Sequence, residues 1–446
     1  MKKQCNIVEL FSGIGSQAKA LKNLGYDVNA LGTCEWDLHA FIAYDAIHSS
    51  TDIPADIDML TKPELLEQLK GYTLSNSGKE KMDYKTLRTY SEPVLKRILT
   101  AIRRNNNFVD VSSLTGEQMP EDIDILTYSF PCQDLSNAGL GKGMEKGSGT
   151  RSGLLWEVER LLTETKELPQ ILLMENVPDV IGANNIKHFA QWVKKLEQLG
   201  YTSKWQCLNA KDYGVPQNRD RCFMVSWLGN HYYDFPTPIK LEKRLKDVLE
   251  TNVDEKYYLS SDIIKYFEKH TQESIEKGNG FRFAPTDGDV VGKAITTRAG
   301  GRMDDNFIKC ECVGMLGGEK YEKMHDIARR VYDTNGIAPT QHTCGGGNLE
   351  TKVVEPLALD EQNGYVRQDG IDGTLTTDGS SPKHNNRIVE NYRIRKLTPK
   401  ECGRLMGVCD DDIDKMSVNQ SNSSLYHCFG DSIVVDVLMA IFKQMI

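Results

Sequence analysis

The sequence predicts an α/β fold in which a doubly wound, mostly parallel sheet is joined to a smaller, loop-rich β domain. Two observations lead to this prediction. Over the first 230 residues, short apolar runs that suit buried strands alternate with stretches whose apolar residues recur every three or four positions, as they do in helices. Beyond residue 236 the chain becomes rich in Gly, Thr, Asn and Asp and has only short β-prone runs.

The elements of the predicted sheet follow one another regularly. Strands are predicted at Asn6 to Leu10, Val28 to Cys34, Asp124 to Ser129, Ile171 to Glu175, Thr202 to Asn209 and Arg221 to Trp227. Helices between them are predicted at Ser16 to Leu24, Gly153 to Thr163 and Asn185 to Leu199. Later, Thr398-Pro399 opens a helix with a capping Thr and a Pro in the first turn, and the apolar run Ile433 to Ile446 predicts a closing helix.

The same patterns divide the chain into domains. Residues 1–235 form the first domain, which a polar, basic, helix-rich insertion interrupts at about 51–108. Residues 236–423 form the second domain, and residues 424–446 return as a helix to the first. The net charge of −9 argues against indiscriminate binding of polyanions, but the lysines and arginines of the insertion leave a local nucleic-acid face open as one interpretation.

Composition excludes several classes of protein. Charged residues make up 26% and hydrophobic residues 39% of the 446 positions, as in soluble globular proteins. No apolar run reaches the roughly 20 residues of a membrane span, and the start of the chain leads into a strand rather than a signal peptide. We therefore expect a cytoplasmic protein without membrane contact. The 11 cysteines are odd in number and match no zinc spacing, which favours reduced thiols and no metal.

A glycine-containing loop at residues 9–18 joins the first predicted strand to the first predicted helix. Gly13 and Gly15 would let the backbone approach a ligand at the helix N-terminus. They also fit a dinucleotide fingerprint, with Glu35 spaced as its ribose-binding carboxylate. Phe11 and Trp36 could give an adenine ring apolar faces. Taken alone, this segment leaves a nicotinamide-dependent dehydrogenase open.

A cysteine follows the third predicted strand. Ser129-Phe130-Pro131 leads to Cys132 on a proline-stiffened turn, at the carboxyl end of the strand, where parallel sheets expose their chemistry. A cysteine there can act as a nucleophile, although unpaired cysteines most often only pack in the core.

These two segments and four later ones resemble, in order, the motifs of the DNA (cytosine-5)-methyltransferases. Met174-Glu175-Asn176-Val177 ends a strand as the family's Glu-Asn-Val does, and Gln217-Asn218-Arg219-Asp220-Arg221 is similar to its Gln-x-Arg-x-Arg. The segment Arg395 to Gly407 resembles the helix after the family's recognition domain. Gly430-Asp431-Ser432-Ile433-Val434 stands where the family has Gly-Asn-Ser-Val, so Asp431 replaces the usual Asn. Met406 and Val408 also depart from the pattern, where Gln and an aromatic residue are usual.

The resemblance implies a methyltransferase that uses S-adenosyl-L-methionine and a Rossmann-like first domain. Cys132 would add to C6 of cytosine, Glu175 would supply a proton toward N3, Arg221 would hold the base at O2, and Arg219 would bind a nearby phosphate. The residues implied for the cofactor are Phe11, Ser12, Gly13, Ile14, Gly15, Glu35, Trp36, Asp110, Val111, Pro131, Leu154, Asp431, Ser432 and Ile433. Those implied for the substrate base are Phe130, Gln133, Ser136 and Asn176.

The resemblance also implies partners and leaves alternatives. It assigns catalysis and cofactor binding to residues 1–235 and target recognition to residues 236–423. The expected protein is a monomer that methylates a specific duplex DNA sequence after base flipping, in the cytoplasm of a bacterial host cell. A cognate restriction endonuclease can accompany such an enzyme. The alternatives are a tRNA cytosine-5 methyltransferase, a nicotinamide-dependent oxidoreductase and a non-catalytic DNA-binding relative, although the last would be expected to lack Cys132.

Overall fold

The computed structural model describes residues 3–131, 135, 144–147, 151–278, 280–311, 314–315, 330–333, 352–354, 358–360, 365–367, 392–418 and 420–445. The chain forms two compact units. The first comprises Met1–Val248, Val291–Arg298 and Pro399–Ile446, and the second comprises Leu249–Val290 and Ala299–Thr398. Residues 399–423 thus cluster with the first unit, whereas the functional boundaries drawn from the sequence stay a prediction.

The described elements comprise strands and helices in both units. The strands are β1 Gln4–Leu10, β2 Asp27–Cys34, β3 Ile125–Tyr128, β4 Ile171–Asn176, β5 Tyr201–Asn209, β6 Gln217–Asn218, β7 Asp220–Leu228, β8 Gly292–Lys293, β9 Phe307–Glu311, β10 Gly314–Met315, β11 Arg330–Asp333, β12 Lys352–Val354, β13 Ala358–Asp360, β14 Tyr365–Arg367 and β15 Tyr392–Lys396. The helices are α1 Ser16–Asn23, α2 Leu38–His48, α3 Ala55–Asp58, α4 Lys62–Leu69, α5 Tyr84–Leu87, α6 Glu92–Arg104, α7 Leu155–Glu164, α8 Ile186–Gln198, α9 Ser261–Glu276, α10 Pro399–Leu405, α11 Asp410–Ser417, α12 Asn422–Asp431 and α13 Val435–Met445.

A six-stranded sheet in the order β2-β1-β3-β4-β7-β5 organises the first unit. The pairs β1/β2, β1/β3 and β3/β4 are parallel, and β7 is antiparallel to both β4 and β5. The six strands predicted from the sequence are those of this sheet. The predicted fold class, a mostly parallel doubly wound sheet with a loop-rich β region, is confirmed.

Burial explains why the apolar runs identified these strands. Every residue of β3 and β4 is buried, because central parallel strands are covered on both faces. Helices α7 and α8 pack on the sheet, and the indole of Trp192 in α8 donates a 3.1 Å hydrogen bond to the hydroxyl of Tyr128 in β3. The sheet therefore forms a rigid base for the loops at its carboxyl edge.

The insertion has a hydrophobic core of its own, which includes apolar residues of α4 and α6 and extends to α2. Several of its basic residues pair within the fold. Arg97 and Arg104 of α6 both face the buried Asp45 of α2, and Arg103 and Lys96 pair with acidic residues of α3. These four basic side chains thus stabilise the insertion.

The second unit is described in part. Helix α9 packs with the antiparallel pair β9 and β15 around Phe267, Phe307 and Ile394. Three aromatic rings, those of Phe267, Phe283 and Phe307, meet with centroids 5.1 to 5.7 Å apart. This cluster supplies a small core for a unit that otherwise consists of short strands and loops.

Two closing helices complete the first unit. Helix α13 packs against α1, as the apolar period of the C-terminal run predicts.

Among the described residues, the stretch Asn422–Met445 is long and apolar enough to cross a membrane, but 72% of its most apolar window is buried inside the protein. Core helices meet the same criterion, so this stretch is weak evidence for a membrane contact.

Candidate active site

A cavity of about 450 Å³ lies at the carboxyl edge of the sheet, within the first unit. The residues predicted for the cofactor that line it are Phe11, Ser12, Gly13, Ile14, Glu35, Trp36, Asp110, Val111, Pro131, Leu154, Asp431, Ser432 and Ile433. The residues predicted for the base that line it are Phe130, Glu175, Asn176 and Arg221, and Arg219, predicted for a phosphate, lines it as well. Gly15 is absent from the lining, and Cys132, Gln133 and Ser136 lie outside the described residues. The structure thus brings segments from both ends of the chain into one site.

The glycine loop turns through a run of left-handed backbone conformations. Phe11, Gly13 and Gly15 have φ values of 57°, 54° and 77°. A Cβ on Gly15 would lie 2.4 Å from the His48 ring and 2.5 Å from the Tyr44 ring, so only glycine fits there. The N–H of Phe11 donates to the carbonyl of Cys34 over 2.7 Å, which fixes the loop to the end of β2. Gly15 therefore shapes the loop from behind without facing the cavity.

A buried polar network supports the loop. Glu9 accepts hydrogen bonds from the Tyr44 hydroxyl at 2.7 Å and from the N–H of Ala18 at 3.2 Å. His48 Nε2 lies 3.2 Å from the Ile14 carbonyl, and its Nδ1 lies 3.2 Å from Lys22 Nζ. Burial raises the pKa of Glu9 to about 7, and burial together with Lys22 lowers the pKa of His48 to about 3. His48 is therefore neutral, with Nε2 donating and Nδ1 accepting.

Replacing Glu9 by glutamine is expected to change how stability depends on pH. The pKa of Glu9 is about 7 in the folded protein, against an ordinary value of 4.5. Between pH 4.5 and about pH 7, the folded protein therefore keeps a proton on Glu9 that the unfolded chain releases. This contribution to stability is fully present below pH 4.5 and is lost as pH rises through about 7, a change of about 3 kcal/mol. Glutamine does not titrate, so Glu9→Gln lacks this pH-dependent loss. The free energy of unfolding of the variant minus that of the wild type should therefore increase by about that amount from pH 5 to pH 8.

Urea unfolding of both proteins at the two pH values measures this difference. The exposed Glu117, changed to glutamine, is the control and should show no such pH dependence. An equal effect of Glu9→Gln at both pH values would contradict the raised pKa.

Glu35 links the glycine loop to the end of β2. Its carboxylate accepts the N–H of Gly13 at 3.0 Å and the N–H of Asp37 at 2.9 Å. Burial and then the nearby Asp37 raise its pKa to about 7. The side chain of Asn107 accepts the N–H of Glu35 through Oδ1 and donates to the Glu35 carbonyl through Nδ2. The same Oδ1 accepts the N–H of Val109, so Asn107 also sets the turn before Asp110. No pattern of residues around Asn107 indicates this positioning role in advance.

Two hydroxyl groups favour a polar ligand in the cavity. Ser12 and Ser129 both line it, and their buried Oγ atoms have no hydrogen-bond partner in the described part of the chain. Buried hydroxyls in folded proteins nearly always have a partner, so a ligand with polar groups would satisfy these two. Together with the half-buried Phe11 and Trp36 and the carboxylate of Glu35, the lining fits a nucleoside with an attached polar chain.

The residues on either side of Cys132 are anchored to the sheet. The side-chain amide of Asn176, at the end of β4, donates to the carbonyl of Phe130 at 2.9 Å. The hydroxyl of Ser152 donates to the carbonyl of Pro131 at 2.7 Å, and the amide of Asn185 lies 3.4 Å from the carbonyl of Leu135. Asn176 and Ser152 thus position the backbone that leads to Cys132. The role predicted for Asn176, a contact with the base, stays a prediction.

Glu175 and Arg221 form an ion pair in the cavity. Glu175 ends β4 and Arg221 lies in the adjacent strand β7, which places Arg221 Nε 3.0 Å from Glu175 Oε1. Both side chains are mostly buried, and Arg221 Nη1 also donates to the carbonyl of Asp220. The predicted partners on the substrate base are therefore adjacent, and each fixes the orientation of the other.

Arg219 does not have the environment expected of a phosphate ligand. It is 4% exposed, and its guanidinium donates to the carbonyls of Ile295 at 3.0 Å, Gly430 at 3.0 Å and Ser432 at 2.8 Å. Because these donors are committed inside the protein, the geometry speaks against the predicted contact between Arg219 and a DNA phosphate. The side chain instead holds together three segments that are distant in sequence.

The sequence analysis missed one cluster in the lining. His427 of α12 lies between Asp37 and Asp431, with Nε2 3.2 Å from Asp37 Oδ2 and Nδ1 3.5 Å from Asp431 Oδ2. Gly78 and Lys79 of the insertion line the cavity beside this cluster. A single histidine in an apolar helix gives no spacing signal, so only the fold reveals this contact. The described residues contain no group of three or more His, Cys, Asp and Glu side chains that could hold a metal ion.

Comparison with known proteins agrees with this architecture. A family model for C-5 cytosine-specific DNA methylases matches residues 86–446. The chain belongs to this family. The type II methyltransferase M2.ScrFI of Lactococcus lactis subsp. cremoris is 31% identical over 98% of both chains. The orphan methyltransferase M.SssI of Spiroplasma monobiae is 39% identical over 62% of this chain and 73% of its own.

Solved structures of more distant proteins share the fold of this family member. The Entamoeba histolytica methyltransferase EhMeth matches with a TM-score of 0.55 at 14% identity, over 100% of this chain and 98% of its own. The Dnmt2 methyltransferase of S. pombe matches with a TM-score of 0.54 at 15% identity, over 98% and 97%. At this identity the likeness shows the fold alone.

Proposed function

We propose that this chain transfers the methyl group of S-adenosyl-L-methionine to C5 of cytosine within a specific sequence of duplex DNA. Membership of the family supports methyl transfer to cytosine in DNA. The observation that carries the proposal is the Glu175–Arg221 pair, which lies in the same cavity as the glycine loop and Pro131, the residue before Cys132. A hydride-transfer enzyme has no use for this pair.

The cofactor would occupy the part of the cavity between the glycine loop and the end of β2. Glu35 would accept ribose hydroxyls, and Phe11 and Trp36 would cover the adenine. The unpartnered hydroxyl of Ser12 and the N–H groups at the start of α1 would meet the polar amino-acid end. When bound, the cofactor supplies a methyl group made electrophilic by its sulfonium.

The protein would make C5 nucleophilic by covalent addition. The thiolate of Cys132 forms a bond to C6 of the cytosine, and negative charge develops toward N3. Glu175 donates or shares a proton at N3, and Arg221 holds O2 while fixing the Glu175 carboxyl group. After C5 has received the methyl group, the C5 proton leaves to water, the C6–S bond breaks and the proton at N3 returns to Glu175, which restores the thiolate and the aromatic ring. Base flipping would bring the cytosine into reach, at a cost of roughly a few kcal/mol.

The second unit would select the DNA sequence. Its short strands and Gly-, Thr- and Asn-rich loops suit the presentation of backbone and small polar groups to base edges. The protein would act as a monomer, because the catalytic groups proposed here all come from one chain.

Labelled methyl transfer tests the proposed function. The purified protein is incubated with methyl-labelled S-adenosylmethionine and either duplex DNA or tRNA, and bisulfite sequencing locates the modified base. We expect label in the duplex DNA at one short sequence, as 5-methylcytosine. Label only in tRNA would identify an RNA enzyme instead, and transfer to neither substrate would overturn the proposal.

A further inference from the structure

The cluster around His427 joins three parts of the first unit at the cavity wall. His427 belongs to α12, Asp37 caps the N-terminus of α2, and the backbone of Ser77 in the insertion also bonds the His427 ring. Gly78 packs directly on the pair, since a Cβ there would lie 3.2 Å from Asp37 Oδ2 and 3.8 Å from His427 Nε2. The geometry holds the imidazole between two carboxylates at the edge of the cavity.

The charges near this edge are predominantly negative. Glu35, Asp37 and Asp431 all line the cavity, and the pKa of the half-buried Glu35 is raised by desolvation and then by both of the other two carboxylates. Among the basic residues in the described lining, Arg219 donates to carbonyls and Arg221 pairs with Glu175. Lys79 is exposed, so water screens its charge. Hydrogen bonding to Asp37 and the nearby Asp431 raise the pKa of His427, whose ring nitrogens lie 3.2 Å from Asp37 Oδ2 and 3.5 Å from Asp431 Oδ2.

We propose that Asp431 and His427 set the preference of the cavity for the methylated cofactor over its demethylated product. This inference rests on the proposed use of S-adenosylmethionine. The methylated form carries a sulfonium charge, whereas S-adenosylhomocysteine has a neutral thioether and otherwise the same groups. A carboxylate in the lining attracts the sulfonium and favours the methylated form. The imidazolium opposes this attraction and holds Asp37 and Asp431 in place.

The two residues therefore have opposite effects on one ratio. Asp431→Asn removes a negative charge from the lining. Because the Asp431 side chain is exposed and water screens its charge, the substitution should reduce the preference for S-adenosylmethionine by no more than about threefold. His427→Gln removes the opposing positive charge and should increase the preference by about the same factor. Both replacements keep a hydrogen-bonding side chain of similar size.

Isothermal titration calorimetry with S-adenosylmethionine and S-adenosylhomocysteine gives the ratio directly. At about pH 6 an imidazole with a raised pKa is protonated. Lys85→Gln, which removes a positive charge from the insertion away from the described lining, is the control and should leave the ratio unchanged. A purely structural role for His427 or Asp431 would weaken both ligands equally, because they share one shape.

The outcomes separate this inference from the proposed function. Opposite shifts of the ratio in the two variants would support it. An unchanged ratio, or a shift of the same sign in both, would overturn it and leave the proposed function intact. A wild-type protein that binds neither compound would overturn both.

Discussion

Replacing Cys132 by serine is expected to lower methyl transfer to DNA by on the order of 10⁴-fold or more, as loss of the nucleophile does in covalent enzymes. A serine hydroxyl ionises far less readily than a thiol and adds poorly to C6, so C5 is not activated. The cofactor cavity is formed by other residues, and binding of S-adenosylmethionine should therefore stay within about twofold of the wild type. Single-turnover transfer of labelled methyl and calorimetry measure the two effects.

A second readout tests the covalent step itself. Fluorine at C5 of the target cytosine cannot leave as a proton, so the adduct cannot eliminate and should persist as a protein–DNA band on a denaturing gel. We expect this band with the wild type and with Cys409→Ser, an exposed cysteine of the same unit, but not with Cys132→Ser. Transfer that persists in Cys132→Ser would refute the mechanism.

The backbone around Cys132 explains why serine is a clean replacement. Asn176 and Ser152 hold the carbonyls of Phe130 and Pro131, and neither bond involves the side chain of residue 132. The lead-in to the nucleophile is therefore set by the end of β4 and by the segment before α7. A loss of methyl transfer in Cys132→Ser would therefore reflect the missing thiol rather than a displaced backbone.

Sequence reasoning was most successful where the physical signal is local. The apolar runs of β3 and β4 identify central strands because both faces of these strands are buried. The glycines of the loop after β1 are required by positive φ and close packing, and both constraints act within a short segment. The motif order then placed distant segments in one site, and the cavity brings their described residues together.

Sequence reasoning failed where the decisive contact joins distant positions. His427 and Asp37 are 390 residues apart, and neither lies in a pattern that predicts their pairing. The two arginines of the motif Gln-x-Arg-x-Arg lie in different surroundings, since Arg219 falls between β6 and β7 whereas Arg221 belongs to β7. Arg221 pairs with Glu175 in the cavity, whereas Arg219 is enclosed by carbonyls from residues 295, 430 and 432.

Replacing Arg219 by methionine is expected to lower the free energy of unfolding of the first unit by about 3–5 kcal/mol, since each buried carbonyl left without its donor costs about 1–3 kcal/mol. The substitution leaves three buried carbonyls without their donor. One of these carbonyls belongs to Gly430, whose backbone packs so closely on Thr297 that a Cβ on Gly430 would lie 2.3 Å from the backbone N of Thr297. The segments that carry Ile295 and Ser432 would lose their common anchor.

Tryptophan fluorescence during urea unfolding measures this loss, because all five tryptophans lie within Met1–Val248 of the first unit. Arg221→Met, two residues further along the chain, is the matched control. It removes a single ion pair at the cavity surface and should cost about 1 kcal/mol of stability while strongly reducing methyl transfer. If Arg219→Met were as stable as the wild type but lost DNA binding in a salt-dependent manner, Arg219 would be the phosphate ligand that its motif first suggested. The expected pattern is the reverse, because this guanidinium is almost fully buried and already donates to three carbonyls inside the protein.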